Sequence, residues 1–351
     1  MYRVLITGAT GFVGSALAAN LLARGLYVIA ISRNDADGKR TIEKVKFAAE
    51  GFDLDIQGAL KSHFEVVNVD FSQLNNSLSK DTLSSITEVW HVAAEMAYST
   101  NRVCQSFEFN VGNTTRLYEL INAYSPSCRR FYYVSTAYVA GMAGGRVEEE
   151  LHSYSEVTNS YQLTKWSAEQ ALHLLYLRHG LPVTIFRPSV VTGHRYTAWT
   201  HHNGFGFYMF QEAMWAVAQA GHKEVTININ GDGKPDLITI DRLTQDACSL
   251  TLRSNLNHNF EVFHCTGGCN LSALDILYLT GEISGVNVKQ GEPVTLIDRK
   301  YERGISPNRP FAEGVWDFSR SKLDKEINSH PPEPLTIQEI RNLYSWYIKY
   351  M

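Results

Sequence analysis

The chain has 351 residues, of which 44% are hydrophobic and 19% charged, and its formal net charge is −4. Such a composition supports a large buried core and excludes global disorder. The slightly acidic balance argues against non-specific nucleic-acid binding, which needs a basic face to release counterions. At roughly 150 residues per domain, the length predicts two domains or one large α/β unit with an elaborated end. Eighteen Tyr, 16 Phe and 6 Trp can line an apolar pocket as well as fill a core. Five cysteines, at 104, 128, 248, 265 and 269, form an odd set without a compact framework, which predicts a reducing, cytoplasmic setting. His264, Cys265 and Cys269 lack a second ligand pair and follow a strand-like run, so they read as buried groups and no metal is predicted. No apolar run approaches the ~20 residues of a membrane span. The N-terminus, interrupted by Gly8, Gly11 and Gly14, reads as strand and turn rather than signal peptide.

In chain order, Val4–Ile6 predicts a strand and Phe12 to Ala23 a helix. Tyr27–Ile31 predicts the next strand, and Thr41 to Glu50 the next helix. Strand-like runs recur at Phe64–Val69, Glu88–Val92, Phe131–Val134 and Val183–Phe186, with helical stretches at Val103–Ala123 and Ser160–Leu177. This alternation predicts an α/β fold: a Rossmann-type, doubly wound parallel sheet with ligands at the carboxyl edge of its strands. Arg187-Pro188 should end its strand. Beyond it the rhythm breaks into an aromatic loop (Gly193 to Asn203), helices near 204–220, 242, 271 and 337, and short strands near Thr226 and Ile238. We divide the chain into a dinucleotide-binding unit over 1–190 and a mainly substrate-binding lobe over 191–351, interleaved with the sheet.

Between the first strand and helix stands Thr7-Gly8-Ala9-Thr10-Gly11-Phe12-Val13-Gly14. Glycines permit a tight turn and close backbone approach, and the helix N-terminus offers free N–H groups to a pyrophosphate. The Gly-x-x-Gly-x-x-Gly spacing departs from the commoner fingerprint, but its place at the first strand–helix junction favours dinucleotide binding over an empty turn. After the second strand, Ser32 and Arg33 stand where an acid would serve NAD, which favours NADP(H), with Arg40 assisting; Asp35 is the alternative, serving an NAD ribose.

Tyr161-x-x-x-Lys165 puts a phenol and an ammonium on one helix face. A cation beside a phenol stabilises phenolate and lowers its pKa from about 10, which suits proton transfer near neutrality. Together with Asp70-Phe71, His91-Val-Ala-Ala94, Asn110-Val-Gly-Asn-Thr114, Tyr133-Val-Ser-Thr-Ala-Tyr-Val-Ala-Gly141 and Phe186-Arg-Pro-Ser189, these pieces resemble the extended short-chain dehydrogenase/reductase superfamily, closely from Met1 to about Arg195. Val-Ser-Thr-Ala-Tyr-Val-x-Gly, the Ser-Arg after strand two and Asp236–Arg242 are similar to the thioester reductase and fatty acyl-CoA reductase ("male sterility") branch.

The resemblance implies roles. Gly8, Thr10, Gly11, Phe12, Val13 and Gly14 hold the pyrophosphate, Ser32 and Arg33 the 2′-phosphate, and Asp70 and Phe71 the adenine. Ala93, Ala94, Pro188 and Ser189 line the nicotinamide cleft. Thr136, Tyr161 and Lys165 are catalytic; Ser135, next along the strand, should point away. Asn110 braces rather than touches substrate. Apart from the resemblance, the loops at this sheet edge, where function usually resides, point to a substrate mouth of Glu95, Tyr98, Tyr138, His194, Trp199 and His202, with Arg195 and His201 either meeting an anionic group or lying on a solvated loop. The resemblance thus implies NADPH-dependent hydride transfer to a carbonyl carbon, first of an acyl thioester bound to CoA or a carrier protein, giving aldehyde or alcohol. The alternatives are a ketone or aldehyde reductase, then a nucleotide-sugar epimerase or dehydratase, and lastly a non-enzymatic NADP-binding regulator. Against sugar chemistry, Ala137-Tyr138 replaces the Asp-Glu pair of dehydratases and Arg33 replaces an acid. The helices at 103–123 and 160–177 could pair in a homodimer.

Overall fold

The computed structural model describes residues 2–71, 74–201, 206–254 and 259–350. Seven strands form the main sheet: β1 (Arg3–Thr7), β2 (Tyr27–Ser32), β3 (Phe64–Asn68), β4 (Glu88–His91), β5 (Arg130–Val134), β6 (Val183–Pro188) and β7 (Phe260–Cys265). They lie in the order β7-β6-β5-β4-β1-β2-β3, all parallel. This is the doubly wound arrangement that the strand–helix alternation predicts.

Side chains alternate across the sheet. Val4, Ile6, Trp90, Tyr132 and Phe186 face one helical layer, while Leu5, Val89, Phe131, Tyr133 and Ile185 face the other. Both faces are covered, so the strands read as near-continuous apolar runs. On the first face, Trp90 stacks on Tyr132 with ring centroids 4.5 Å apart. Trp90 Nε1 donates to Thr251 Oγ1 at 2.9 Å, and the Tyr132 hydroxyl donates to the Leu250 carbonyl at 3.0 Å. Both bonds fasten the helix Ile240–Leu252 to the sheet, and β7 follows it into the edge position. The second half of the chain therefore returns to the sheet after contributing to the lobe.

Three details differ from the sequence reading. β6 runs through Arg187 and Pro188, because Pro188 sits at the strand's last position beside Cys265 and interrupts no further ladder. The helical stretch at 103–123 divides into Val103–Phe107, a π-turn at Glu108–Gly112, and Asn113–Tyr124. The inserted residue in that turn buries Asn110. The helix expected from 204 is described from Tyr208 to Gln219.

The lobe is built on the carboxyl edge. Val190–Thr192 pairs with Leu237–Thr239, Glu224–Ile227 with Asn287–Gln290, and Gly145–Val147 with Trp316–Phe318. No described helix is long and apolar enough to cross a membrane.

The first turn carries a clear packing constraint. An added Cβ at Gly14 would lie 2.2 Å from the Gly8 carbonyl oxygen and 2.6 Å from its carbon. Alanine normally stabilises a helix interior by about 1 kcal/mol over glycine. At Gly14 the backbone clash reverses that sign, and Gly14→Ala should destabilise the fold by about 1–3 kcal/mol in urea unfolding. A gain in stability would reject this packing.

Candidate active site

A cleft of about 890 Å³ opens along the carboxyl edge of the sheet, where the strand order reverses about β1 and β4. Its floor begins at the turn after β1. Gly8 takes φ +76°, and a Cβ there would meet the Ala93 nitrogen at 2.8 Å. Only glycine lets the turn and the loop after β4 approach this closely. The helix Phe12–Ala23 starts at Gly11 without a side-chain cap, so its first N–H groups are left for a ligand. Thr10, Gly11, Phe12, Val13 and Gly14 all line the cleft.

A buried line of hydrogen bonds holds this floor. Thr7 Oγ1 accepts from the backbone N–H of Val92 (3.0 Å) and Ala93 (2.9 Å). Its single proton therefore goes to His91 Nδ1, 2.8 Å away, which makes Nε2 the protonated nitrogen. Nε2–H donates to Thr114 Oγ1 at 2.9 Å, and Thr114 donates to the Asn110 carbonyl at 2.6 Å. Burial, with Lys165 nearby, lowers the His91 pKa to about 3, so the ring is neutral. Asn110 Nδ2 then reaches the Glu95 carbonyl and Thr164 Oγ1, both at 2.9 Å, and its Oδ1 accepts from Glu95 N–H at 2.7 Å. Asn110 thus braces the loop after β4 against the Ser160–His179 helix.

At one end of the cleft stand cations. Arg33, Arg40 and Lys44 line it together with Ser32 and Phe71. The Arg33 guanidinium lies over the Phe109 ring at 4.2 Å, and Arg40 reaches Ser32 Oγ at 3.3 Å. Asp35 is turned away. Its carboxylate accepts from Thr41 N–H (3.0 Å), Thr41 Oγ1 (2.5 Å) and Arg40 N–H (3.2 Å). Burial opposes its ionisation, but those bonds prevail and hold its pKa below the usual value. No carboxylate lines the cleft among the described residues.

At the other end, Thr136, Tyr161 and Lys165 come together with Ala93, Ala94, Pro188 and Ser189. The helix carrying Tyr161 and Lys165 is capped by Asn159, whose side chain accepts from Gln162 N–H at 2.8 Å. Lys165 Nζ donates to the Val134 carbonyl at 2.6 Å and sits 4.5 Å from the Tyr133 ring centre and 5.9 Å from that of Tyr161. In the protein alone, burial raises the Tyr161 pKa instead of Lys165 lowering it. Burial also pushes Lys165 down to about 7, against the pull of Glu169. The ammonium expected to acidify the phenol therefore holds its proton only about half of the time at neutral pH. Behind it, Glu169 forms a fully buried ion pair with Arg187 at 2.5 Å. Ser135 also lines the cleft, with its Oγ buried and unpartnered. The strict alternation expected there stops because β5 ends at Val134 and Thr136 caps a short 3₁₀ turn at Ala137–Ala140.

The substrate-mouth candidates divide. Tyr98 and Tyr138 line the cleft. Glu95 instead pairs with Arg102. His194 packs edge-on to Phe52 at 4.7 Å, and its Nδ1 accepts from Tyr196 and Thr197 N–H. Trp199 is buried among Phe12, Phe47 and Phe52, behind the glycine turn. Arg195 is taken by Glu339 at 2.7 Å, whereas His201 does line the cleft. Asp70 stands exposed outside the lining, its N–H bonded to Ser77 Oγ at 3.3 Å. His202 falls outside the described residues. Sequence reasoning missed Lys44, Phe109, Tyr208, Asn308 and Phe311. Asn308 and Phe311 lie more than 140 residues beyond Lys165, and no local pattern marks them. The metal-like trio is spent internally: His264 Nδ1 lies 2.7 Å from the Ser319 carbonyl, Cys265 points to Asp246, and Cys269 to the Leu271 carbonyl.

The family model described as "Male sterility protein" matches residues 6–244, more than half of the chain. The chain is 26% identical over 253 residues to CDP-paratose 2-epimerase of Salmonella typhi, covering 67% of this chain and 70% of that protein. It is 24% identical over 222 residues to isonitrile lipopeptide synthase of Streptomyces coeruleorubidus, covering 62% of this chain but only 14% of the synthase. Two solved structures share the fold at 20% identity. One is the terminal R domain from the myxalamid PKS-NRPS pathway, with TM-score 0.77 over 100% of this chain and 91% of that one. The other is UDP-glucuronic acid 4-epimerase from Bacillus cereus in complex with NAD, with TM-score 0.68 over 99% and 96%. A nicotinamide dinucleotide is the cofactor type of this group, and the uncapped helix, the glycine cradle and the acid-free cleft fit one. The chain belongs to the male sterility protein family of the extended short-chain dehydrogenase/reductases.

Proposed function

We propose that the protein is an NADPH-dependent reductase acting on a carbonyl carbon, with acyl thioesters of CoA or a carrier protein as substrates. One observation carries this reading: a single cleft joins Thr136, Tyr161 and Lys165 to a cationic end made by Arg33, Arg40 and Lys44, from which Asp35 is withdrawn. When bound, the dinucleotide supplies the hydride. The glycine turn and the uncapped helix hold its pyrophosphate, and Arg33, Arg40 and Ser32 hold the 2′-phosphate. As negative charge grows on the carbonyl oxygen, Thr136 and Tyr161 donate hydrogen bonds to it, and Tyr161 gives up its proton. Lys165, poised near neutrality, binds ribose hydroxyls and replaces the proton that Tyr161 loses. On a thioester the substrate then expels thiol and leaves an aldehyde. A sugar-nucleotide epimerase is the second reading, favoured by the likeness to CDP-paratose 2-epimerase. The cationic, acid-free cofactor end favours the reductase.

Consumption of NADPH across acyl-CoAs, carrier-bound acyl groups, aldehydes, ketones and CDP- and UDP-sugars tests the assignment. Thioester turnover should release one free thiol per aldehyde formed. Epimerised sugar without net NADPH loss would transfer the chain to the second reading.

Tyr161→Phe should reduce turnover by about 10²–10⁴-fold, with dinucleotide affinity measured by calorimetry nearly unchanged. Near-normal turnover would remove Tyr161 from the proton-donor role. Arg33→Ala combined with Arg40→Ala should weaken NADPH by about 10–100-fold, the loss of charge-assisted bonds, and leave NADH alone. Equal losses for the two cofactors would reject the phosphate assignment.

Lys165 yields a stability prediction with a definite sign. Its folded-state pKa is about 7, against about 10.4 when unfolded. Between these values the unfolded chain binds the extra proton, so stability rises with pH from about 7 to 10 and is lost as pH falls toward 7. Lys165→Met should flatten this slope in urea unfolding of the cofactor-free protein and eliminate turnover. A slope that survives the substitution would contradict the depressed pKa.

A further inference from the structure

We propose that an apolar recess beside the cleft binds the alkyl end of the substrate and limits its length. The inference rests on the reading that Tyr161 protonates the substrate carbonyl. The recess has a volume of about 40 Å³ and shares the lining residues Val190, Gly206, Asn308 and Phe311 with the cleft, so the two spaces adjoin. Its mouth stands one ring from the phenol. The Tyr98 hydroxyl donates to Asn308 Oδ1 at 3.2 Å, and the Tyr98 ring lies edge-on to Tyr161 with centroids 6.2 Å apart. An alkyl group extending from a carbonyl at Tyr161 therefore passes Tyr98 and Phe311 to enter the recess.

The walls select for hydrocarbon. Beyond the mouth they are Phe207, Phe210, Leu237, Ala273, Ile276 and Tyr344, with Pro235 and Ala312 between them. None carries a charge. The one hydroxyl, on Tyr344, is committed to the Phe207 carbonyl at 3.3 Å. A site of this size exceeds the ~10–15 Å³ that one water needs, but water also needs two to four polar partners, and apolar voids of this kind stay dry and take up apolar groups. Part of the wall is firmly packed. Tyr344 is fully buried and stacks on Phe207 with centroids 4.4 Å apart, and Ile276 is 5% exposed. The volume admits a few methylenes and no long tail.

Each methylene that enters should improve binding by about fourfold until the recess is full, after which further carbons add nothing or hinder. The test uses saturated acyl-CoAs and aldehydes of two to twelve carbons for kcat/KM. In parallel, calorimetry follows the saturated primary amides of the same lengths, whose carbonyl resists reduction, on protein loaded with NADP+. Both series should show one break point. Ala273→Leu, which fills the recess and leaves the Ser272 cap of its helix intact, should move the break to shorter chains. Ile276→Ala should move it to longer ones. The two-carbon substrate and NADPH affinity should be unchanged in both variants.

Affinity that rises with length without a break, a break that neither variant moves, or amides that fail to bind would overturn the recess assignment. Turnover without a movable break leaves the reductase reading standing and removes the recess. A movable break in amide binding, with no thioester or aldehyde reduced, supports the recess and removes the reductase reading.

Discussion

The architecture of the site depends on a dry chain of hydrogen bonds that crosses beneath the cleft, from Thr7 through His91 and Thr114 to Asn110 and on to Thr164. At one end, Thr7 fixes the backbone of Val92 and Ala93 against the glycine turn. At the other, Asn110 grips the helix one residue before Lys165. The glycine turn and the Tyr161–Lys165 helix are therefore set relative to one another by buried side chains outside both ends of the cleft. The chain runs in one direction because Thr7 has one proton to give and His91 is neutral. A charged ring would need a second acceptor, and Thr7 Oγ1 already receives two backbone N–H groups. In a low-dielectric interior such a fully satisfied network rigidifies, whereas a half-satisfied one is costly.

Charge is distributed to match. Beneath the amino edge of the sheet, Glu88 pairs with Arg129, and Glu261 with Arg130 and Arg253. These groups neutralise one another far from the cleft. At the carboxyl edge no described acid faces the cavity, and the nearest negative charge to Lys165, Glu169, is balanced by Arg187. The ammonium is thereby left under-compensated in a buried place, which is why its proton is loosely held. A group poised in this way exchanges protons with a neighbouring phenol more readily than one near its solution pKa.

Much of this was legible from local pattern. The glycine turn, Tyr161 with Lys165, and the strand–helix alternation are short-range signals whose physics is complete within a few residues. The outcome for Asp35 was not legible: Asp35 and Arg33 are equally placed in sequence, and only the capping of Thr41 shows the acid to be occupied. His194 and Trp199 misled for a related reason. An aromatic loop at the carboxyl edge reads as a mouth, yet Gly51 leaves room for Trp199 to pack behind the turn, where a Cβ would lie 2.0 Å from the indole. Asn308 and Phe311 were invisible because their place is set by lobe packing. Tyr138 meets Phe311, Trp316 and Phe318 edge-on at 4.8–5.6 Å, and that contact exists only in three dimensions.

The lobe and the sheet thus divide the work by distance along the chain. Thr136, Tyr161 and Lys165, the groups proposed to react, come from the first 190 residues, and the Thr7–Thr164 network braces the helix that carries two of them. Most walls of the recess come from 206–344, with Val190 beside them, whereas Tyr98 and Tyr138 line the cleft from the earlier part of the chain. A substitution in the lobe can reshape the recess without disturbing the hydrogen bonds beneath the cleft. Proteins named as epimerases and as a terminal R domain can therefore share this frame at 20–26% identity. In the proposed function the frame sets where a proton and a dinucleotide would meet. Which substrate meets them would then be decided by the side chains that line the cleft and its recess.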